Sequence, residues 1–335
     1  MSSVIVRNVA KYLPKTVKNR EEMRTHFASV GAQVDSLFDV GGRENHPYIE
    51  DYRKETSVTM ATKACEVLLE KEGLSLQDVQ GFFFVSDAPE YTVPSNAITI
   101  VNALGDGNDG AVKFVMDLNQ NCTGLLSSFD MVSAYMKTRK DLKRCVLVSV
   151  FNSTHISHKE DPATYGFLTD GSSALLLEKI DQGGKGILDS DTLIGSDGWE
   201  LMSFPSAGYS KVFKEETSLR ERTLRWDVGP AGWIPDKYME VLPGLLERNG
   251  LTESDVDYFI CSQFHEGLVK RTCELMNSTM DKWLFVSRSY GYAGNASPGF
   301  AFEEGLRSGK FTEGKTIVWF SFGAGYTLSA LLYRF

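Results

Sequence analysis

The chain has few cysteines, and none of them are close together. The five, Cys65, Cys122, Cys145, Cys261 and Cys273, are odd in number and include no CxxC pair. That argues against a disulfide framework and against a structural zinc site, and the five read as reduced thiols. Long apolar runs are also missing. No stretch approaches the roughly 18 residues of a membrane span, and the opening MSSVIVRNVAKYLP lacks the charged start and apolar run of a signal peptide. The expectation is a cytoplasmic protein with no membrane partner. No block of Lys or Arg is present and the net charge is −9, so nucleic acid is disfavoured as a partner. His155 and His158 in NSTHISHKE have a spacing that suits zinc, but no nearby Cys or His pair completes a ligand set, and no metal site is expected.

What is there is an ordinary globular composition: 335 residues, 42% hydrophobic and 24% charged, ample for a large buried core. Helical patterns alternate with short apolar runs such as GFFFVS (81–86), VKFVMDL (112–118), CVLVSVF (145–151), YFICSQ (258–263) and TIVWFSF (316–322). This predicts α/β layers with sheets buried on both faces. One pattern occurs twice: LLEKEGLSLQDVQGFFFV (68–85) lies over LLERNGLTESDVDYFICS (245–262) without a gap. Each copy reads as a helix end, a glycine just past the last turn, and a buried strand. SSALLLEK (172–179) and LSALLYRF (328–335) form a second echo in the same order. Duplication predicts one unit of two pseudo-symmetric halves, 1–180 and 181–335. The charged segment 208–230, poor in aliphatic residues, reads as an excursion over the surface.

Cys122 falls in DLNQNCTGLL, where a buried strand passes through a polar turn into a helix. A helix start favours the thiolate, and the small neighbours Thr123 and Gly124 leave the sulfur uncovered, so Cys122 is the candidate nucleophile. His265 follows the strand of the second repeat copy and opens an amphipathic helix, whereas a lone histidine elsewhere would more often be structural. Asn295 lies in the Gly-rich YAGNASPG, where it could equally be a turn or cap residue. The order Cys, His, Asn is also that of papain-like cysteine hydrolases, which stay open as an alternative, although the CGSCW-like surround is absent.

The stretches GGREN (41–45), YTVPSNA (91–97), DLNQNCTGL (117–125), TDGSSALLLE (169–178), FHEGL (264–268), YAGNASPG (292–299) and SFGAGYTLSALL (321–332) together resemble the β-ketoacyl-acyl-carrier-protein synthases III of the thiolase fold, over essentially the whole chain. The resemblance implies a homodimer of five-layered αβαβα subunits, with the nucleophile in the first half and His and Asn in the second. It also implies that Cys122, His265 and Asn295 form a catalytic triad, and that the backbone N–H groups of Cys122 and Ala324 form an oxyanion hole. The implied reaction moves an acyl group onto Cys122 and then joins it to a decarboxylating malonyl thioester. Acyl-coenzyme A or an acyl carrier protein would deliver the acyl group, and no metal or redox cofactor is needed. An acidic carrier would dock near Lys270 and Arg271. Transfer of the acyl group to oxygen or nitrogen, without decarboxylation, is the alternative within the fold. Where the family usually has His-Gln-Ala-Asn, this chain has His265-Glu266-Gly267-Leu268.

Overall fold

The computed structural model describes residues 2–105, 110–227, 229 and 231–335. Five strands build the first sheet: β1 (Ser3–Tyr12), β2 (Gly81–Val85), β3 (Phe114–Leu118), β4 (Arg144–Phe151) and β5 (Gly171–Ile180), in the order β1-β5-β4-β2-β3. Five more build the second: β6 (Gly186–Ile194), β7 (Tyr258–Ile260), β8 (Trp283–Leu284), β9 (Thr316–Gly323) and β10 (Thr327–Arg334), in the order β6-β10-β9-β7-β8. The two orders are the same. In each sheet the outer long strand and the central hairpin pair antiparallel, while the two shorter strands pair parallel.

Strand alternation explains the continuous apolar runs. On β2, Phe82 and Phe84 face a cluster with helices α1 (Ser57–Glu72) and α2 (Asn96–Leu104), while Phe83 and Val85 face the opposite way. That opposite side is the centre of the molecule. There α3 (Gly124–Thr138) contributes Leu125, Phe129 and Val132, and both sheets contribute, Leu147 and Leu175 from one and Trp319 and Tyr333 from the other. The outer face of the second sheet is covered by α4 (Ile234–Met239), α5 (Leu242–Glu247) and α6 (Glu266–Leu275), which pack on Phe259, Val318, Phe320 and Leu332. A last helix, α7 (Ser297–Arg307), joins α3 in the middle layer through Ala301 and Phe302. The stack is helix, sheet, helix, sheet, helix. Each fully buried large side chain stabilises it by about 1.5–3 kcal/mol.

The repeated sequence has a repeated structure. Gly73 and Gly250 end α1 and α5 with φ of 62° and 67°, a left-handed conformation that costs a residue with a Cβ. The Leu74 and Leu251 N–H groups each donate back to the helix, both at 3.0 Å. Ser75 and Thr252 then start a short 3₁₀ turn, each donating its N–H to the carboxylate three residues on, Asp78 at 2.9 Å and Asp255 at 2.8 Å. β2 and β7 follow. The described residues of segment 208–230 are mostly exposed, with Phe213 84% accessible, but Thr223, Leu224 and Trp226 turn inward. Arg225–Trp226 pairs with Met202–Ser203, and Trp226 packs on Phe167 and Phe264 at 5.8 and 5.6 Å. Reading the whole segment as surface therefore missed one wall of a cavity.

Candidate active site

Two 3₁₀ turns carry the candidate residues Cys122 and Asn295, each placed just before a helix of the central layer: Asn121–Thr123 before α3, and Gly294–Ala296 before α7. Cys122 sits in the first. Asn121 adopts φ of +49° to make that turn, a conformation Asn tolerates better than most residues. Its Nδ2 donates to the Ala324 carbonyl at 2.9 Å, and the Ser321 hydroxyl donates to the Cys122 carbonyl at 3.0 Å. The turn is thereby tied to the end of β9 and the Gly-rich loop beyond it. A Cβ at Gly323 would lie 3.4 Å from the Cys122 nitrogen, so the two segments are packed to van der Waals contact.

This stitching brings the N–H groups of Cys122 and Ala324 onto the Cys122 sulfur, where the Tyr292 hydroxyl also donates. Burial nevertheless pushes the thiol up to about 12, and the nearby Asp87 carboxylate adds to the rise. The helix start and these donors favour the thiolate, and burial opposes them.

Asn295, in the second turn, is fully buried. The Ser149 hydroxyl on β4 donates to its Oδ1 at 3.0 Å, which fixes the amide. Its Nδ2 is buried and has no hydrogen-bond partner among the described residues. A Cβ at Gly124 would lie 3.8 Å from that Nδ2, so the unpartnered donor lies against the first turn of α3, two residues past Cys122. A buried amide donor without a partner costs free energy unless a ligand or water meets it.

His265 caps α6. Its Nδ1 accepts from the Leu268 N–H at 3.2 Å, so the neutral ring carries its proton on Nε2. Burial, followed by the Arg43 charge, pushes its pKa down. The ring is therefore a neutral donor. Gly267 is needed beside it, because a Cβ there would lie 2.9 Å from the ring Cε1.

Cys122 and His265 line one cavity of about 350 Å³, walled by Trp226, Trp233, Phe264 and Phe322 among others. Lys270 and Arg271 lie on α6 away from it. Both are exposed, and each pairs with an acid, Lys270 with Glu266 at 2.9 Å and Arg271 with Glu274 at 3.2 Å. His155 bonds Asn152 at 2.7 Å, and among the described residues no group of three His, Cys, Asp or Glu could hold a metal ion. All five cysteines are free. Among the described residues no helix is long and apolar enough to cross a membrane. Sequence reasoning missed Ser149, Tyr292 and Asp87. Ser149 was detectable as the one polar residue inside CVLVSVF, and Asp87 as a carboxylate directly after a buried strand.

Two family models match, both described as 3-oxoacyl-[acyl-carrier-protein] synthase III. One covers residues 116–198, and the other, the C-terminal part, covers 246–335, together a little over half of the chain. A curated relative, β-ketoacyl-[acyl-carrier-protein] synthase III of Koribacter versatilis, is 26% identical over 278 residues, 82% of each chain. Among solved structures, 3-oxoacyl-[acyl-carrier-protein] synthase III from Aquifex aeolicus superposes with a TM-score of 0.85 over the full length of both chains at 20% identity. A priming β-ketosynthase of a polyketide biosynthetic pathway gives 0.86 at 19% identity, over 99% of this chain and 96% of that one. These superpositions establish the fold, the layered thiolase architecture, which has no place for a papain-like reading. With both parts of the family's sequence pattern matched in order and the duplicated layers in place, this chain belongs to the 3-oxoacyl-[acyl-carrier-protein] synthase III family of acyltransferases.

Proposed function

We propose that this protein loads an acyl group onto Cys122 and condenses it with a malonyl thioester, the starter step of a fatty-acid or polyketide chain. The observation that carries the reading is a cavity lined by both the half-buried Cys122 thiol and the His265 ring, whose cap leaves its proton on Nε2, with the unpartnered Nδ2 of Asn295 lying against the first turn of the helix after Cys122. In acylation the thioester carbonyl becomes an oxyanion, and the N–H groups of Cys122 and Ala324, which reach the sulfur it forms beside, are the donors assigned to it in this reading. In the second half-reaction the malonyl thioester loses CO₂ and leaves an enolate. Its oxygen accepts from His265 Nε2 and Asn295 Nδ2, and its carbon attacks the acyl-cysteine, breaking the C–S bond and releasing Cys122 as the thiolate, which takes up a proton from solvent. Neutral donors suit this step because they stabilise the charge that develops without a proton transfer. Acyl transfer to oxygen or nitrogen would give that donor pair no task.

The reading includes coenzyme A or a carrier protein as acyl donor, carrier docking near Lys270 and Arg271, and a cytoplasmic homodimer that needs neither metal nor redox cofactor. To test it, acyl thioesters of graded chain length are mixed with the protein and the intact mass is measured. A single adduct that disappears in Cys122→Ala is expected. Absence of any adduct on Cys122 at every chain length overturns the nucleophile. The same variant is expected to lose condensation by a factor on the order of 10⁶, the scale seen when a nucleophile is removed.

A further inference from the structure

His265 belongs to the second half of the molecule, yet a side chain from the first half holds the backbone that leads to it. Arg43 follows the short helix Asp35–Gly41, which Gly42 ends with φ of 64°. Its side chain runs inward, and the residue is 5% exposed. Nη2 donates to the carbonyl oxygens of Phe264 at 2.6 Å and Gln263 at 3.4 Å, and Nη1 donates to the Gly41 carbonyl at 2.8 Å. Nε is buried with no hydrogen-bond partner among the described residues. The guanidinium lies over the Phe167 ring at 4.5 Å and near the Tyr292 ring at 5.7 Å. Phe167, Phe264 and Tyr292 line the cavity and Arg43 does not, so the guanidinium stands behind the cavity wall.

Among the described residues no carboxylate pairs with Arg43. Glu44 and Glu266 pair with Arg288 instead, at 3.3 and 2.5 Å. Burying a guanidinium against neutral partners alone costs free energy, and an apolar side chain of similar volume often packs as well. Here the hydrogen bonds of that charge go to the two residues just before His265. Gln263 is fixed from the other side as well. Its Oε1 accepts from the Val286 N–H at 2.7 Å, and its Nε2 donates to the Cys261 and Leu284 carbonyls, both at 2.9 Å. Residues 263 and 264 are therefore clamped between the two halves, and His265 follows directly at the head of α6. A planar fork suits this place. The ammonium of Lys is a point donor, which cannot lie flat on Phe167 while reaching three carbonyls. After burial, the Arg43 charge also helps to keep the His265 ring neutral.

We infer that Arg43 is a positioning residue for His265: its bonds to the Gln263 and Phe264 carbonyls set where the ring presents its Nε2–H to the malonyl thioester. The inference rests on His265 being a donor to the enolate. Arg43 touches no reacting atom and acts through the turn, so its loss falls on decarboxylation and spares acylation.

Acyl and malonyl thioesters of N-acetylcysteamine separate the two half-reactions. In Arg43→Gln, single-turnover acylation of Cys122, read by intact mass, should be unchanged. Release of CO₂ from the malonyl thioester by the acylated enzyme should fall roughly 10- to 10²-fold, in kcat rather than KM, as when a reacting group is displaced by about 1 Å. Arg43→Lys keeps the charge and can reach one of the carbonyls, and it should recover part of the loss. Arg43→Met should not, and it provides a second neutral variant if Arg43→Gln folds poorly. Decarboxylation at the wild-type rate in either neutral variant, with His265→Ala impaired, overturns the role of Arg43 and leaves that of His265 standing. A parallel fall in acylation and decarboxylation also overturns it, since that is what a structural defect produces, and so does a rise in KM alone, which marks a substrate contact. Wild-type decarboxylation in His265→Ala, or no adduct on Cys122 in the wild type, overturns the proposed reaction and this inference together.

Discussion

Two turns at equivalent places in the two halves, Asn121–Thr123 and Gly294–Ala296, have taken opposite chemical tasks. The first holds its functional side chain at a cavity wall and surrounds a sulfur with donors. The second holds its side chain fully buried, with the acceptor end satisfied by Ser149 and the donor end left free. Topology alone therefore does not assign the roles. The same strand-turn-helix junction presents a nucleophile where the turn residue is Cys, and a fixed N–H where it is Asn supported by a hydroxyl from the neighbouring strand.

The comparison breaks most visibly at the second turn. Asn295→Ala should leave the acyl adduct on Cys122 intact while decarboxylation of the malonyl thioester, followed by CO₂ release, falls roughly 10²- to 10³-fold, the effect of one lost oxyanion donor. Loss of acylation to the same extent would mean that the two turns do not divide the reaction. Gly267→Ala tests the other donor without touching it. A Cβ 2.9 Å from the His265 ring displaces it, and decarboxylation should drop by up to ~10²-fold with acylation preserved, as expected when a reacting group is misplaced by about 1 Å. Ser149→Ala sharpens the comparison further. It removes the hydrogen bond that orients Asn295, worth about 0.5–1.5 kcal/mol, and should slow decarboxylation roughly 2- to 10-fold while the melting temperature changes little.

The smallest effect on the chemistry, yet a measurable one on stability, concerns His46, which is buried and pushed down to about 3 by burial, with Lys18 and Arg43 adding to the shift. Its folded pKa lies below the unfolded value of roughly 6.5, so the fold favours the neutral ring. The contribution is complete above pH 6.5 and is lost as pH falls toward 3, amounting to about 3 kcal/mol at pH 4. Urea titrations against pH should show this slope in the wild type and a flatter one in His46→Gln. Equal slopes would mean that the ring is not held neutral.

Much of this protein was legible in its sequence because the signals are local. Apolar strands bounded by a glycine at the end of a helix, repeated at 68–85 and 245–262, fold into the same turn and strand wherever they occur, since φ above zero and buried alternation are decided within a few residues. Cys122, His265 and Asn295 could be picked out for the same reason, each marked by the strand-to-helix boundary it occupies or by a motif around it. The rest required long-range contacts. Trp226 reaches the cavity wall from a charged, largely exposed segment because a two-residue strand folds back over Phe167 and Phe264. Ser149 is a polar interruption in an apolar strand until Asn295 arrives from 146 residues away to accept its hydrogen bond. The surroundings of Cys122 also needed the whole chain: a helix start favours the thiolate, and the packing of the two halves around the sulfur opposes it. Sequence determined which groups are present and the local turns that hold them. Tertiary structure decided how dry their surroundings are and which of their atoms are left without a partner, because desolvation and partnering depend on atoms brought together across the whole chain.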